Sequence, residues 1–439
     1  MRRDPLNKYS ETNRRDFIKG LAKTCLGVEI GRQGMMSGAF SALSPNAFAA
    51  ESATYTPISK PVTSIINIYL YGGLSHTDSF NAKETGKPVY DTIKTAAEET
   101  YFTKPLEKLA KIMNKGTVIH SMNSKNGGHP EGEYEMFTSY NRRPDVIHPV
   151  SGAWISKFQG KANPTLPAFV SIGGGGRRAT AGWLGAKYTG AIISNPDKGL
   201  KNIEQTPHLN GEQFNKQYDM LTKMNSSFYE AFPQQQVASL QSIYDEAIKT
   251  MTSKDLVAFD LNQESAAVRE KYGASGKSCL LAARLAEAKV RFINISYGFW
   301  DHHFNIEATL APRLEDLASS IEALITDLER RGILESTLVV VSSEMGRKAG
   351  DLDLNKGREH HPGCWSQLVF GGPVKQGFTY GATDKANMKV VETPVSPGDM
   401  NATLAYAMGI NHDQILYSPS GRPFKIGGKK GKPITDIFA

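Results

Sequence analysis

The sequence predicts an α/β protein built on a doubly wound, largely parallel sheet, with a helical insertion or cap. Three observations predict it. Short, near-continuous apolar runs rich in Val and Ile end in Gly or small polar residues, as strands buried on both faces require. Segments of helical period alternate with those runs. The alternation breaks for a mostly helical stretch at about residues 205–270 and then resumes, which makes the stretch an insertion in one domain spanning 50–439.

In chain order, "VTSIINIYLYGG" (62–73) reads as the first buried strand, stopped by two glycines. The helical pattern "KPLEKLAKIMNK" and the strand "GTVIHSM" follow. Residues 131–140 and 150–159 read as helices, and "LPAFVSI" as a strand before Gly173–Gly176. From 177 to 211 Gly, Asn, Pro and Lys dominate without a sustained period, and "EQFNKQYDMLTKMNSSFYEAF" and "QQQVASLQSIYDEAIKTM" then read as two long helices. After them come the helix "GKSCLLAARLAEAK", the strand "VRFINISY", an amphipathic helix at about 308–331, and the strands "STLVVVSSE" and "SQLVFGG".

Composition bounds the function classes. With 439 residues, 40% hydrophobic and 22% charged, the chain can bury a large core. Its net charge of +7 is concentrated at the start: residues 1–49 hold eight Lys or Arg against four Asp or Glu, leaving 43 basic and 40 acidic residues elsewhere. That small excess does not call for a nucleic-acid partner. Arg14 and Arg15, then Phe17 and Lys19, a mildly apolar stretch and "NAFAA" resemble a bacterial twin-arginine export signal over 1–49, with Ala47 and Ala49 as the small-x-small cleavage pattern. The expected partner during export is the twin-arginine translocation machinery, and the expected location is the periplasm or beyond it. No later segment approaches 18 uninterrupted apolar residues, so no stable membrane span is expected. Cys279 and Cys364 could bridge in an oxidising compartment, but two cysteines in so long a chain read as independent core residues.

Two glycine motifs read as structural. "GASGKS" (273–278) has two residues between its glycines where a phosphate-binding loop needs four. "GGGGRR" (173–178) has the parts to hold an anion, yet reads more simply as a turn with solvated arginines.

In an open parallel sheet, ligands bind beyond the carboxyl ends of the strands. The residues expected there are His76 and Asp78; Ser121, Asn123, Ser124 and His129; Asp301, His302 and His303; Glu344 and Arg347; then Arg358, Glu359, His360 and His361. Six of the ten histidines fall in these loops, where independent structural histidines would have no reason to gather. Imidazole with carboxylate suits a divalent ion of intermediate softness, zinc or manganese before calcium, and the inventory allows one or two ions. If "WDHH" continues extended, Asp301 and His303 point one way and His302 the other. Arg347 and Arg358 are either oxyanion clamps or ordinary ion-pair partners.

The blocks "IYLYGGLSHTDSFNAK", "AFDLNQESAAVREKYG", "SCLLAARLAEAKVRFINI", "WDHH", "LITDLERRGILESTLVVVSSEMGR" and "GREHHPGCWSQLVFGGPVKQGFTYGATD" resemble the exported bacterial family called domain of unknown function 1501, which is similar to the alkaline phosphatase and sulfatase superfamily. The resemblance covers about 62–410. It implies an alkaline phosphatase-like core, metal at the strand ends, and a Ser, Thr or modified Cys nucleophile. By that resemblance Asp301, His303 and His360 look like one metal site, with Glu344, Asp78, His361 and His129 as further candidate ligands. Ser124 and Ser121 are the candidate nucleophiles, and Arg347 and Arg358 the candidate charge-balancing groups. Glu344 stands where the superfamily has Asp-His, and neither mature cysteine has a sulfatase context. The expected activity is metal-dependent hydrolysis of a phosphate or sulfate ester, on a small anionic ester or a modified polysaccharide. The alternative is a catalytically silent exported binding or assembly protein on the same fold.

Overall fold

The computed structural model describes residues 55–200, 211–231 and 244–439. The export signal expected over 1–49, and with it the cleavage pattern, lies outside the described residues. The chain divides into two units, a larger one of residues 56–199 and 255–439, and a smaller one that includes 200–254. Within the smaller unit, a helix spans Gly211–Ala231 and residues 244–251 are helical.

The larger unit is organised by one eight-stranded sheet. Its strands are β1 Ser64–Tyr69, β2 Gly116–Met122, β3 Phe169–Ile172, β4 Ala191–Ile193, β5 Phe292–Ser296, β6 Thr337–Ser342, β7 Trp365–Phe370 and β8 Phe378–Tyr380. They lie in the order β8-β2-β7-β6-β1-β5-β3-β4. Every pairing is parallel except those of β7, which runs antiparallel to both β2 and β6. The sheet is therefore mixed and mostly parallel. β1, β2, β6 and β7 are buried along their whole length, which explains sequences that carry apolar residues on both faces.

Helices cover the sheet. The ones used below are α1 His129–Thr138, α2 Ser151–Gln159, α3 Lys277–Glu287, α4 Ile306–Arg330 and α5 Pro397–Ala407. Ile65 and Tyr69 of β1, Phe292 of β5 and Val340 of β6 share a core with Trp154 of α2 and Met400 and Leu404 of α5. Alternation along a strand puts Ile66, Ile68, Ile293 and Ile295 on the other face, and all four are buried. α3 packs on β1, β5 and α4. α4 buries Leu310, Leu314, Leu317, Ile321, Leu324 and Leu328, a helical period of apolar residues.

Several elements differ from the sequence reading. "KPLEKLAKIMNK" is two 3₁₀ turns around a five-residue helix, Glu107–Lys111. Residues 177–211, read as lacking a period, contain the edge strand β4. Strand β8 and helix α5 were not expected. α5 starts with a capping box in which the Ser396 and Asp399 side chains each take a backbone N–H of the other. Cys279 and Cys364 are separate, buried thiols.

The direction of β7 places the site. Antiparallel neighbours need no crossover, so the chain leaving β6 stays at one edge of the sheet from Ser343 to Cys364 before turning back. That loop carries Glu344, Arg347, Arg358 and His360 to the edge where β1, β2 and β5 also end.

Candidate metal centre

Close backbone packing builds the site's floor. Gly72, at φ +108°, follows β1; a Cβ there would fall 2.7 Å from the Asp301 nitrogen and 2.8 Å from that of Trp300. Only glycine permits this approach. The Trp300 N–H donates to the Tyr71 carbonyl at 2.9 Å, fixing the chain just before Asp301. Across the site, Gly346–Arg347 pairs antiparallel with His360–His361, with Arg347 opposite His360 and Gly346 opposite His361. Adjacent residues of such a ladder point to opposite sides. His360 accordingly meets Asp301, whereas His361 Nε2 donates to the Met388 carbonyl at 2.8 Å.

Three imidazoles converge on Asp301. Its Oδ1 lies 2.9 Å from His303 Nε2 and 3.4 Å from His360 Nε2, and its Oδ2 lies 3.3 Å from His129 Nε2. One atom each from His129, Asp301 and His360 falls within 4.8 Å of the others, the arrangement of a candidate metal site. His303 stands beside this trio, its Nε2 3.0 Å from His360 Nε2.

Outer partners fix the protons. His360 Nδ1 lies 2.6 Å from the Gly127 carbonyl, which can only accept, so Nδ1 carries the proton and Nε2 offers a lone pair. His129 Nδ1 lies 2.9 Å from Glu344 Oε1, with the same result, and His129 Nε2 is buried without a hydrogen-bond partner. His303 Nε2 lies 3.2 Å from Arg347 Nη1, 2.9 Å from Asp301 Oδ1 and 3.0 Å from His360 Nε2; as a neutral acceptor it takes the arginine N–H, and with a proton it donates to Asp301 or His360. The His360 Nε2 lone pair needs a proton or a cation facing it. A tetrahedral ion with bonds of about 2.0 Å would separate its ligands by about 3.3 Å. The His/Asp donor set and its spacing therefore fit a divalent ion.

Electrostatics keep Asp301 and His360 in binding form, whereas His129 is shifted toward its protonated form. Burial pushes the Asp301 carboxyl up, but the Arg347 hydrogen bond and charge, with His129 and His303, bring it down to about 2. Burial lowers His360, and the Arg347 charge adds to this. His129 is raised, first by its hydrogen bond to Glu344. Glu344 is buried, and its oxygens also accept from the Tyr69 hydroxyl at 2.9 Å and the Gly72 N–H at 2.7 Å. It orients His129 as outer carboxylates orient metal-binding histidines.

The other expected residues have different surroundings. All five Arg347 N–H groups are engaged: Nε by the Gly73 carbonyl, Nη1 by His303 and the Arg358 carbonyl, Nη2 by the Gly72 carbonyl and Asp301. Arg358 is likewise saturated: Nε and Nη2 donate to Asp78, Nη2 also to the Lys87 carbonyl, and Nη1 to the carbonyls of Lys348 and Gly350. Asp78 thus sits in a buried ion pair. Ser121 is fully buried on β2 and faces Gly381. Ser124 donates to Glu135 Oε2 at 2.5 Å in the loop before α1. His302 is buried against Trp300, with ring centroids 6.5 Å apart.

Tyr69 and the carbonyls of Gly72 and Gly127 were absent from the sequence reading. A tyrosine inside a buried strand gives a usable signal, because its hydroxyl must find a partner. Main-chain carbonyls give none.

Solved structures share a distant likeness. A protein in the alkaline phosphatase superfamily from Vibrio parahaemolyticus is 9% identical, with a TM-score of 0.36 over 81% of this chain and 69% of the other. The PsFucS1 sulfatase from Pseudoalteromonas sp. is 12% identical, with a TM-score of 0.35 over 81% and 69%. A mutant TAB5 alkaline phosphatase with magnesium bound is 10% identical, with a TM-score of 0.33 over 80% and 99%. A search of curated proteins finds no match. Residues 62–438 match the family described as "Protein of unknown function (DUF1501)", and the chain belongs to that family.

Proposed function

We propose that this protein is an exported, metal-dependent hydrolase of a phosphate or sulfate ester, holding zinc or manganese on His129, Asp301 and His360 with His303 alongside. The observation that carries the reading is the convergence of one donor atom each from His129, Asp301 and His360 within 4.8 Å, with Glu344 and Gly127 holding the two imidazole lone pairs inward. A bound ion would polarise an ester oxyanion and lower the pKa of water. The chain's own groups do the rest. Asp301 balances the ion's charge, Glu344 and Gly127 hold two rings in the binding tautomer, and Arg347 holds Asp301 and the two strand ends in place. Export through the twin-arginine pathway to the periplasm or beyond follows from Arg14, Arg15, Ala47 and Ala49. The substrate class is a small anionic ester or a modified polysaccharide. No helix among the described residues is long and apolar enough to cross a membrane.

A second reading, a silent binding or assembly protein, is favoured by the saturation of both Arg347 and Arg358 and by the burial of Ser121. Metal analysis of purified mature protein, followed by assays on aryl phosphates, phosphodiesters and aryl sulfates, separates the two. Bound metal with a turnover abolished by His360→Ala supports the hydrolase. Metal without turnover supports the silent reading, and metal-free, inert protein ends the hydrolase proposal.

A further inference from the structure

We propose that Arg178 is the side chain that takes an oxyanion of the ligand beside the metal centre. The proposal rests on the reading of that centre as a site for an anionic ester. The glycine motif that precedes Arg178 reads in sequence as a simple turn, but its geometry is specific. A Cβ on Gly174 would fall 2.7 Å from Ser296 Oγ and 3.4 Å from Arg178 Cδ, so the loop closes on the arginine where a larger residue would hold it off. Ser296 ends β5, five residues before Asp301.

The guanidinium is held on three sides. Nε and Nη2 donate to Glu133 Oε2 at 3.0 and 2.5 Å, and Nη1 donates to Ser296 Oγ at 2.8 Å. Its carbon lies 5.1 Å from the Tyr69 ring centroid and 4.8 Å from that of Tyr71. Glu133 follows His129 by four residues on α1, one turn along the same helix face. The Tyr69 hydroxyl donates to Glu344, which accepts from His129, so the Tyr69 ring and the Glu344 carboxylate link Arg178 to the candidate ligand set.

Arg178 also has donors to give. Of its five N–H groups, one on each terminal nitrogen is unengaged among the described residues, whereas Arg347 and Arg358 have none left. Its side chain is 13% exposed, enough to be reached and too little to wander. A planar fork held this way matches two oxygens of a tetrahedral phosphate or sulfate.

The test uses metal-loaded mature protein, with inorganic phosphate and inorganic sulfate as calorimetric probes. Arg178→Ala is expected to weaken anion binding about tenfold or more, and Arg178→Lys, which keeps the charge but loses the fork, by an intermediate factor, with metal content unchanged in both. Should Arg178→Ala fail to fold, Arg178→Lys carries the comparison. Anion binding within twofold of wild type in the folded variants, or no anion binding by wild type, would overturn the assignment. Ester assays run in parallel keep the two proposals separate. Arg178-dependent phosphate binding without turnover leaves Arg178 assigned and ends the hydrolase reading; turnover with Arg178-independent binding does the reverse.

Discussion

Glu344 and His129 meet at 2.9 Å, carboxylate Oε1 to ring Nδ1, although Glu344 has no place in the trio of His129, Asp301 and His360. The carboxylate acts on an ion only through the ring it orients. Glu344→Gln keeps the volume and an acceptor but removes the charge that fixes the proton on Nδ1. It should weaken zinc binding about 10- to 100-fold. Competition with a chromophoric chelator measures this, and a folded variant with unchanged affinity would show that His129 needs no such support. Glu344→Ala is a poorer probe, because it also leaves the Tyr69 hydroxyl and the Gly72 N–H without their acceptor.

Adjacent histidines in "WDHH" should behave differently. His303 Nε2 lies 2.9 Å from Asp301 and 3.0 Å from His360, while His302 is buried with its backbone carbonyl accepting the Arg358 N–H at 3.1 Å. His303→Ala should lower metal affinity about tenfold, with little change in stability, since its ring is partly exposed. His302→Ala should leave metal affinity within about twofold and cost about 1–3 kcal/mol of stability by emptying a packed position. Metal titrations and urea unfolding on the same two proteins decide it. Equal metal loss from both would place the two rings in one coordination sphere.

The strands buried on both faces were the most legible part of the fold, because a run such as "GTVIHSM" lacks charged residues and has no solvent-facing side, and β2 spans those seven residues. β4 and β8 are three-residue edge strands, too short to leave a pattern. The reversed direction of β7 leaves no mark either, since burial on both faces gives parallel and antiparallel strands the same composition. In α5 the stretch "PGDMNATLAYA" mixes Gly, Asn and Thr into a helix, and the readable signal was the Ser396 and Asp399 cap rather than the period. At the site, residue types pointed to His and Asp donors after strands. What each charged group does was not readable, because Arg347 and Arg358 are defined by carbonyls of Gly72, Gly73, Lys87, Lys348 and Gly350 that no side-chain pattern encodes.

Acid should destabilise the metal-free protein well before its carboxylates titrate. Burial lowers His76 to about 4 and His120 to about 3, and both rings are almost wholly enclosed. Between about pH 6.5 and 4 the unfolded chain holds protons on these imidazoles and the folded chain does not, so unfolding takes up protons and stability rises with pH. Each ring adds a slope of up to about 1.4 kcal/mol per pH unit in that window. His129 works the other way, since its raised pKa gives stability that is present below about pH 6.5 and fades as pH rises through the folded value. Urea unfolding with a chelator present should therefore show a steep loss of stability from pH 6.5 to 5, ahead of any carboxylate effect. His120→Gln, which keeps a polar partner for the Ser366 hydroxyl, should reduce the slope by about one proton. A stability that stays level or rises as pH falls from 6.5 to 5 would mean that these rings take up protons within the fold.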